Sequence, residues 1–560
     1  MATQPISDIH VQAEQDASWL PMVIIALAQI LMVFNISSLQ VSIEGIISSF
    51  NAPATTVGTA IVTYSLVVAG LIMLGAKMGK IFGARRVFRA MIVLFGVAMA
   101  LMALSPGAAV MIAAQALAGV AAAALVPTLV VLIAENYRGL QQATALGWLG
   151  GAQAMGIVLG FLIAGTLSTL VGWRYTYGLL VILAAVIYKL SDKLSPVKSR
   201  SNVSIDKVGV VLAASAVFLI SFGASNLTAW GLLLAGSGAP FSILDMSPAP
   251  IMIVAGIFLI QAFFFWSRKR RRAGETPLIA LEVVETPQER AALFSMFIIG
   301  ALGSAITFLV PLYMQVVQGR SALRTAVAVI PFSLASFIAA VLIVHLYDRI
   351  SPCHIARYAF LIVSAGMAVL GAVIRNDWGT FMVIVGMLVA GLGEGALLTL
   401  LFNVLVSASP KALAGDVGSL RGTTNNLAAG VGTALAGALL VGVLGTSVHR
   451  ELVHNPVIPN ELKMEVNLDS VPFISNGQLR ETLEHTSATP EKVSEAVRIN
   501  TEARLLALKV SFFTLAGLAL LAFFPAGGLP DYVRGEVPRG NPATAEQGRK
   551  QPFEVKNPRN

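Results

Sequence analysis

The sequence has little charge, one cysteine and no basic segment at its start, and each shortage excludes a class of protein. Only 12% of the 560 residues are charged and 56% are hydrophobic, whereas soluble globular domains carry about 25% charged residues. So few charges cannot cover a water-facing surface of this length, and we therefore predict that lipid is the main solvent. The one cysteine, Cys353, excludes an intramolecular disulfide and a cysteine-based zinc cluster.

The chain also lacks the segments that mark secretion or catalysis. Its first seventeen residues contain neither lysine nor arginine, so they do not have the basic region of a cleavable signal peptide, and the first apolar run is expected to stay in the membrane. We find no phosphate-binding glycine-rich loop and no nucleophile elbow. His449, His454 and His485 do not have metal-ligand spacing. We therefore predict no catalytic residue, no metal and no cofactor, and we do not expect an enzyme.

Long apolar runs are what the sequence has in abundance, and its mean hydropathy is +0.79. Backbone that faces lipid must be helical or belong to a closed barrel, and barrel strands would alternate apolar and polar residues. Runs of about 17 to 25 apolar residues instead match helices that cross a ~30 Å hydrocarbon core. We predict an all-α polytopic membrane protein with fourteen transmembrane helices near 20–43, 57–76, 88–105, 108–134, 144–170, 175–190, 208–228, 249–266, 291–314, 326–346, 356–374, 380–407, 419–446 and 505–525.

Basic residues alternate with these runs and predict the orientation. They cluster at 77–89, 189–207, 268–272, 349–357 and 534–550, whereas 44–56, 105–107 and 229–248 have none. By the positive-inside rule both termini are expected in the cytoplasm of a bacterium, with the chain in the inner membrane. This pattern also accounts for the net charge of +9 without a nucleic-acid partner, and lipid headgroups are the expected contacts of the basic clusters.

Several short motifs, in order and at the ends of the predicted helices, carry a family resemblance. They lie at 75–86, 172–177, 205–209, 230–231, 311–315, 319–322, 331 and 348–349. Together they resemble the major facilitator superfamily, and in particular its fourteen-span drug:proton antiporter branch. The resemblance covers about 20–525.

The resemblance implies a fold and a division of the chain. We expect a cytoplasmic tail (1–19), an N-terminal six-helix bundle (20–190), a linker with two extra transmembrane helices (191–290), a C-terminal six-helix bundle (291–525) and a second cytoplasmic tail (526–560). A polar loop at 447–504 is expected outside the cytoplasm, where it is either a solvated connection or a gating or partner-binding segment. The substrate cavity would lie between the bundles, which rock to give alternating access.

Four positions depart from the family pattern. Asn35 stands where the branch carries an acid in its first span, and Lys80 stands where it carries an aspartate in the following basic loop. Gln115 stands in place of the arginine of the fourth span, and Phe161 in place of the proline of the fifth. Asn35 and Gln115 cannot titrate, so the first half is predicted to have lost its proton-coupling acid and the arginine that would tune it.

Glu394 is the candidate that remains for proton coupling or cation recognition. It lies between glycines at the centre of the twelfth predicted span, where a charged, unpaired carboxylate costs at least ~2.5–3.5 kcal/mol. We therefore expect it to face the interior of the bundle, with the glycines admitting a substrate or a neighbouring helix. The alternative is a structural carboxylate that is hydrogen-bonded or paired with Arg421.

Other polar residues in or beside apolar spans are candidates for the substrate cavity. Asn35, Ser38 and Ser42 share a stripe of the first span by their spacing. Interhelical hydrogen bonds explain such residues as readily as substrate contacts do. The full set of cavity candidates is Asn35, Ser38, Ser42, Gln115, Gln153, Gln315 and Asn403, and the residues expected in conformational-switch loops are Lys80, Gly83, Arg85, Arg86, Asp348 and Arg349.

Three functions stay open at this point. The resemblance favours a monomeric secondary transporter that exports amphipathic, drug-like small molecules, with protons as a coupling ion through Glu394. An uncoupled facilitator or an importer of a metabolite, such as a vitamin or organic ion, is the second. A membrane sensor that no longer transports is the third.

Overall fold

A computed structural model describes most of the chain as α-helix. The described residues are 18–53, 55–137, 139–194, 206–231, 234–235, 239–242, 244–275, 277–278, 281–346, 349–375, 380–408, 414–454, 473, 475–484 and 489–531. Their α-helices, numbered here α1 to α16, are Leu20–Val41, Ile43–Phe50, Thr55–Phe82, Ala84–Ala103, Ala108–Asn136, Gly139–Leu170, Trp173–Leu190, Lys207–Trp230, Pro248–Arg272, Pro287–Leu312, Ala322–Leu342, Pro352–Val373, Thr380–Ala408, Ala414–His454, Asn476–Glu484 and Pro490–Leu521.

Fourteen of these helices are long and apolar enough to cross a membrane, and they confirm the predicted number of spans. The two others, α2 and α15, are too short. Residues 447–504, predicted as one loop, include the end of α14, all of α15 and the first part of α16. Residues 455–472 of that segment lie outside the described residues.

The spans form two bundles of six. In the first, α3 packs against α5, α1 against α6, and α4 against α7; in the second, α13 packs against α11 and α12, α10 against α14, and α12 against α16. The bundles meet where α3 contacts α14 and α6 contacts α11. We call the boundary between the bundles the seam. It runs along α3 and α6 of the first bundle and α11 and α14 of the second.

The inserted pair α8–α9 packs on itself and against α3 and α14 at this seam. Asp206 holds the two helices together at one end. Its carboxylate caps α8 by accepting from the Gly209 backbone N–H at 2.9 Å, and it accepts from the Trp266 Nε1–H of α9 at 3.0 Å. Arg270 of α9 adds an ion pair with Asp206 at 3.7 Å. The motif at 205–209 therefore explains how the extra helices are joined.

Two glycines of the family motifs begin helices with a backbone that other residues rarely adopt. Gly83 (φ 88°) precedes α4 and Gly172 (φ 108°) precedes α7. After Gly172, the Trp173 Nε1–H donates to Ser49 Oγ of α2 at 3.0 Å, and Arg174 donates to the Ser105 carbonyl at 3.0 Å. This motif therefore fastens α2 and the α4–α5 turn to the start of α7.

Glycines let α6 pack closely against a helix of each bundle. A methyl group added at Gly160 would lie 2.7 Å from Ser37 Cβ of α1, and one added at Gly165 would lie 3.0 Å from Ala326 Cβ of α11. Phe161, which stands at the family's proline position, is fully buried, and α6 continues through it without a break. The close approach of α6 to both neighbours thus depends on its glycines.

Candidate functional site

Glu394 lies near the middle of α13, in a segment where glycines bring three helices together. A methyl group added at Gly391 would lie 2.3 Å from the Phe332 carbonyl oxygen of α11. At Gly395 it would lie 1.9 Å from the carbonyl oxygen of Ser336 on the same helix. Gly393 approaches α12 in the same way, at 2.7 Å from the Ala359 carbonyl oxygen. The glycines therefore serve helix packing, which was one of the two roles expected for them.

The Glu394 carboxyl group points between α10 and α11. A methyl group added at Gly303 of α10 would lie 2.0 Å from Glu394 Oε1, so the carboxyl group lies directly against that glycine. The Ser336 side chain of α11 lies close enough to interact with it. Glu394 is half-buried, so it keeps some accessible surface although three helices surround it. A carboxyl group placed in this way faces the inside of the bundle and can exchange a proton or contact a ligand.

Arg421, considered as a partner for Glu394, has a different neighbour. Its guanidinium carbon lies 4.2 Å from the centroid of the Phe402 ring of α13. Within the described part of the chain, no ion pair joins Glu394 to Arg421 or to another basic residue. The two charges therefore occupy separate places on the second bundle.

Asn35 and Gln115 bond to each other. The Asn35 Nδ2–H donates to Gln115 Oε1 at 2.9 Å, and the Gln115 Nε2–H donates to Asn35 Oδ1 at 3.0 Å. Both side chains are fully buried between α1 and α5. The resemblance places an acid and an arginine at these two positions, and here a neutral pair with reciprocal hydrogen bonds takes their place.

The other polar residues of the first span also have partners within the protein. Ser38 donates to the Phe34 carbonyl of its own helix at 2.7 Å. Ser42 stands at the break between α1 and α2, and its hydroxyl lies 2.8 Å from that of Ser168 at the end of α6. The stripe of Asn35, Ser38 and Ser42 is therefore buried against helices of the first bundle.

Gln315 joins the two bundles at the α1–α2 break. Its Oε1 accepts from the Glu44 backbone N–H at 3.0 Å, and its Nε2–H donates to the Gln40 carbonyl at 3.2 Å. It lies in a π-helical segment, Tyr313–Val317, that extends α10. One side chain from the second bundle thus satisfies two backbone groups that the break in the first bundle leaves open.

A second contact joins the bundles at the same end of the molecule. The Leu323 backbone N–H at the start of α11 donates to Thr169 Oγ1 near the end of α6 at 3.2 Å. We call this the far end, and we call the opposite end, with Arg85, Arg86 and the cluster 268–272, the basic end. Hydrogen bonds across the seam therefore close the far end.

The two remaining cavity candidates are accessible. Gln153 is exposed on α6, and Asn403 is half-buried on α13 beside Phe402. They lie on helices of different bundles, α6 of the first and α13 of the second. The structure therefore distributes the seven cavity candidates over the first bundle, the seam and the second bundle.

The switch-loop residues that the structure describes lie at the basic end. Arg85 donates to the Asp192 carbonyl at 2.7 Å, and Arg89 pairs with the Asp192 carboxylate, so the start of α4 is attached to the end of α7. Arg86 and Arg349 are exposed. Asp348 lies outside the described residues, as does the side chain of Lys80.

One buried cluster at the far end was missed from the sequence. Arg504 of α16 is fully buried, donates to Asn476 Oδ1 of α15 at 2.6 Å and donates to the Val316 carbonyl at 3.2 Å. Phe473 is buried beside it. The signal for it in the sequence is an arginine that directly precedes an apolar run, at the end of the predicted loop 447–504.

Comparison with known proteins agrees with the motifs. A family model described as Major Facilitator Superfamily matches residues 25–433. The probable actinorhodin transporter of Streptomyces coelicolor is 25% identical over 76% of this chain and 73% of its own length. The multidrug efflux pump LfrA of Mycolicibacterium smegmatis is 24% identical over 77% of this chain and 82% of its own length.

Solved structures share the fold. A crystal structure of an auto-inhibited POT family peptide transporter superposes with a TM-score of 0.59 at 13% identity, over 93% of this chain and 98% of that one. At that identity the likeness concerns the fold alone. With the family model matching well over half of the residues, the chain belongs to the Major Facilitator Superfamily.

Proposed function

We propose that this membrane protein is a secondary exporter of amphipathic, drug-like compounds that exchanges them for protons at Glu394. The observation that carries the proposal is the place of Glu394, half-buried at the middle of α13 and without a basic partner among the described residues. The names of the relatives, an antibiotic transporter and a multidrug pump, support the substrate class.

Proton coupling needs a group whose charge changes during the transport cycle. The neutral pair of Asn35 and Gln115 cannot supply one. Glu394 can, because a carboxyl group in this setting is stable when protonated and is stable when charged only if water or a cation reaches it. Opening and closing of the space beside Gly303 would therefore change the protonation of Glu394 and the affinity for the compound together.

The charge pattern supports an orientation in the membrane. We propose that the basic end faces the cytoplasm, because the positive-inside rule places the clusters at 77–89 and 268–272 there. The closed far end then faces outward, and the described conformation is closed to the outside. An exporter loads its compound from the cytoplasm in this conformation.

The test uses purified protein in proteoliposomes with an imposed pH gradient and rhodamine 6G as the transported compound. Wild type is expected to accumulate the dye against its gradient. Glu394→Gln is expected to lower that accumulation at least about tenfold, because it removes the only candidate for coupling in the site. Dye exchange without a gradient should persist in the same variant, which shows that it is folded. Glu394→Asp is the control that keeps the carboxyl group.

Two results would contradict the proposal. Gradient-driven accumulation by Glu394→Gln at the wild-type level would remove the coupling role. Downhill exchange by wild type with no response to the pH gradient would favour the uncoupled facilitator, which the loss of charge at Asn35 and Gln115 also fits.

A further inference from the structure

Arg421 is a charged residue inside a span, and no acidic side chain in the described part of the chain forms an ion pair with it. It lies on α14, five residues after Asp416, where the apolar part of that helix begins. Its neighbour Gly422 packs on the first bundle, since a methyl group added there would lie 2.5 Å from Ile72 Cδ1 of α3. Arg421 is half-buried. The residue therefore lies beside the seam between the bundles, on the basic-end side of the molecule.

The guanidinium of Arg421 stacks on an aromatic ring. Its guanidinium carbon lies 4.2 Å from the centre of the Phe402 ring. Stacking of this kind engages the flat face of the guanidinium and leaves its five N–H donors, which lie in the plane, free for other groups. In the described part of the chain, no carboxylate accepts from them.

A cation in this position is costly unless an anion joins it. A charged arginine that is partly withdrawn from water is destabilised unless polar or anionic groups reach it, and contact with the Phe402 ring offsets only part of that cost. A ligand that brings a negative charge would offset more of it. The in-plane donors of a stacked guanidinium match the two oxygens of a carboxylate or sulfonate.

A polar atom one turn along the helix adds to the site. Asn425 shares a face of α14 with Arg421 because it is four residues further on. Its Oδ1 is buried, and no described group donates to it. A ligand that carries a hydroxyl or N–H group beside its acidic group would satisfy this oxygen. The ring of Phe402, half-buried, supplies the apolar surface for an aromatic ligand.

We propose that Arg421, Phe402 and Asn425 form a subsite for aromatic organic anions, with the acidic group of the ligand on Arg421. Glu394 lies eight residues before Phe402 on α13, which corresponds to about 12 Å along the helix. One drug-sized molecule can therefore reach from the anion subsite toward the proton site. This inference rests on the proposed function, because it names the substrate class of the same cavity.

The experiment compares two dyes with the same xanthene core and opposite charge. Binding of fluorescein (anionic) and rhodamine 6G (cationic) is measured by fluorescence anisotropy with the full-length protein in nanodiscs. Wild type is expected to bind fluorescein, and Arg421→Gln to weaken that binding about tenfold to a hundredfold, because a charge-assisted pair of hydrogen bonds is lost. Arg421→Lys keeps the charge and should weaken it less. Rhodamine 6G binding should change little in either variant.

A second measurement keeps the proposal testable if Arg421→Gln does not fold. Benzoate and benzylamine then compete with fluorescein on the wild-type protein, and only benzoate is expected to displace it. The subsite is overturned if wild type does not bind fluorescein, if Arg421→Gln binds it as wild type does, or if benzylamine displaces it better. Rhodamine 6G transport driven by a pH gradient, measured after the same purified protein is reconstituted into proteoliposomes, tests the proposed function, so the two can fail separately.

Discussion

At the scale of single residues, the neutral pair of Asn35 and Gln115 separates this chain from the family pattern. Neutral residues stand at both positions where the resemblance implies an acid and an arginine, so neither position has an unpaired charge. Each amide supplies the donor and the acceptor that the other needs. In a buried setting this reciprocity matters, because an unsatisfied amide costs more than a satisfied pair contributes.

This pair gives a prediction about stability. Asn35→Leu or Gln115→Leu alone is expected to cost about 1–3 kcal/mol, because the remaining amide is left buried and unsatisfied. The double variant should cost less than the sum, with a coupling of about 1 kcal/mol. Reversible unfolding in detergent would measure all three. Costs that simply add would mean that the two amides do not depend on each other.

At the scale of the helix, the glycines around Glu394 determine how closely α13 approaches its neighbours. Three backbone carbonyl oxygens, from two helices, occupy the places where side chains would begin. A carboxyl group is thereby held at a fixed depth and aimed at Gly303 of α10. The position of Glu394 therefore depends on residues that themselves carry no chemistry.

A matched pair of substitutions tests this packing. Gly395→Ala places a methyl group 1.9 Å from the Ser336 carbonyl oxygen, so α11 and α13 must move apart, at an expected cost of about 1–3 kcal/mol. Gly437→Ala on α14 meets no atom within 4 Å and should be neutral or stabilise the helix by up to about 1 kcal/mol. Thermal unfolding of both variants would show the difference. Equal melting temperatures would contradict the close approach.

At the scale of the whole molecule, the far end is closed by contacts between the bundles. Gln315 connects the second bundle to the α1–α2 break of the first. The neighbouring Val316 carbonyl accepts from Arg504, which also holds Asn476 of α15. Helix α15 is therefore attached, through Arg504 and the π-helical turn, to the residues that close the far end.

We expect Gln315→Leu to shift the protein toward conformations that are open at the far end, because two hydrogen bonds between the bundles are lost. Spin labels would report the distance across the seam. They are attached at Ser48→Cys and Arg324→Cys, both exposed in this structure, in a Cys353→Ser background. The variant should populate longer distances.

Gln318→Leu is the matched control, since Gln318 donates to Tyr313 within its own bundle at 2.9 Å. It should leave the distance distribution near that of the wild type. Identical distributions for Gln315→Leu and wild type would show that Gln315 does not hold the far end closed.

Much of the fold was predictable from the sequence because lipid imposes simple rules. Apolar runs of membrane length predict the number of spans, and the motifs at the helix ends indicate the family whose helix arrangement the chain shares. The last loop was less predictable. The polar helix α15 leaves no hydropathy signal, whereas the pattern near 490–504 predicts a short amphipathic helix, which the start of α16 confirms. The burial of Arg504 could not be predicted, because it depends on contacts with Asn476 and Val316.

By itself the sequence determined the helices, the family resemblance and the isolation of Glu394 as a central acid, since these depend on composition and local order. Tertiary structure decided which polar groups have partners. It joined Asn35 to Gln115, across eighty residues, and Gln315 to Gln40 and Glu44. It also placed Arg421 on Phe402 and away from Glu394. The physical reason is that a hydrogen bond or an ion pair depends on distances between helices, which periodicity along one helix does not contain.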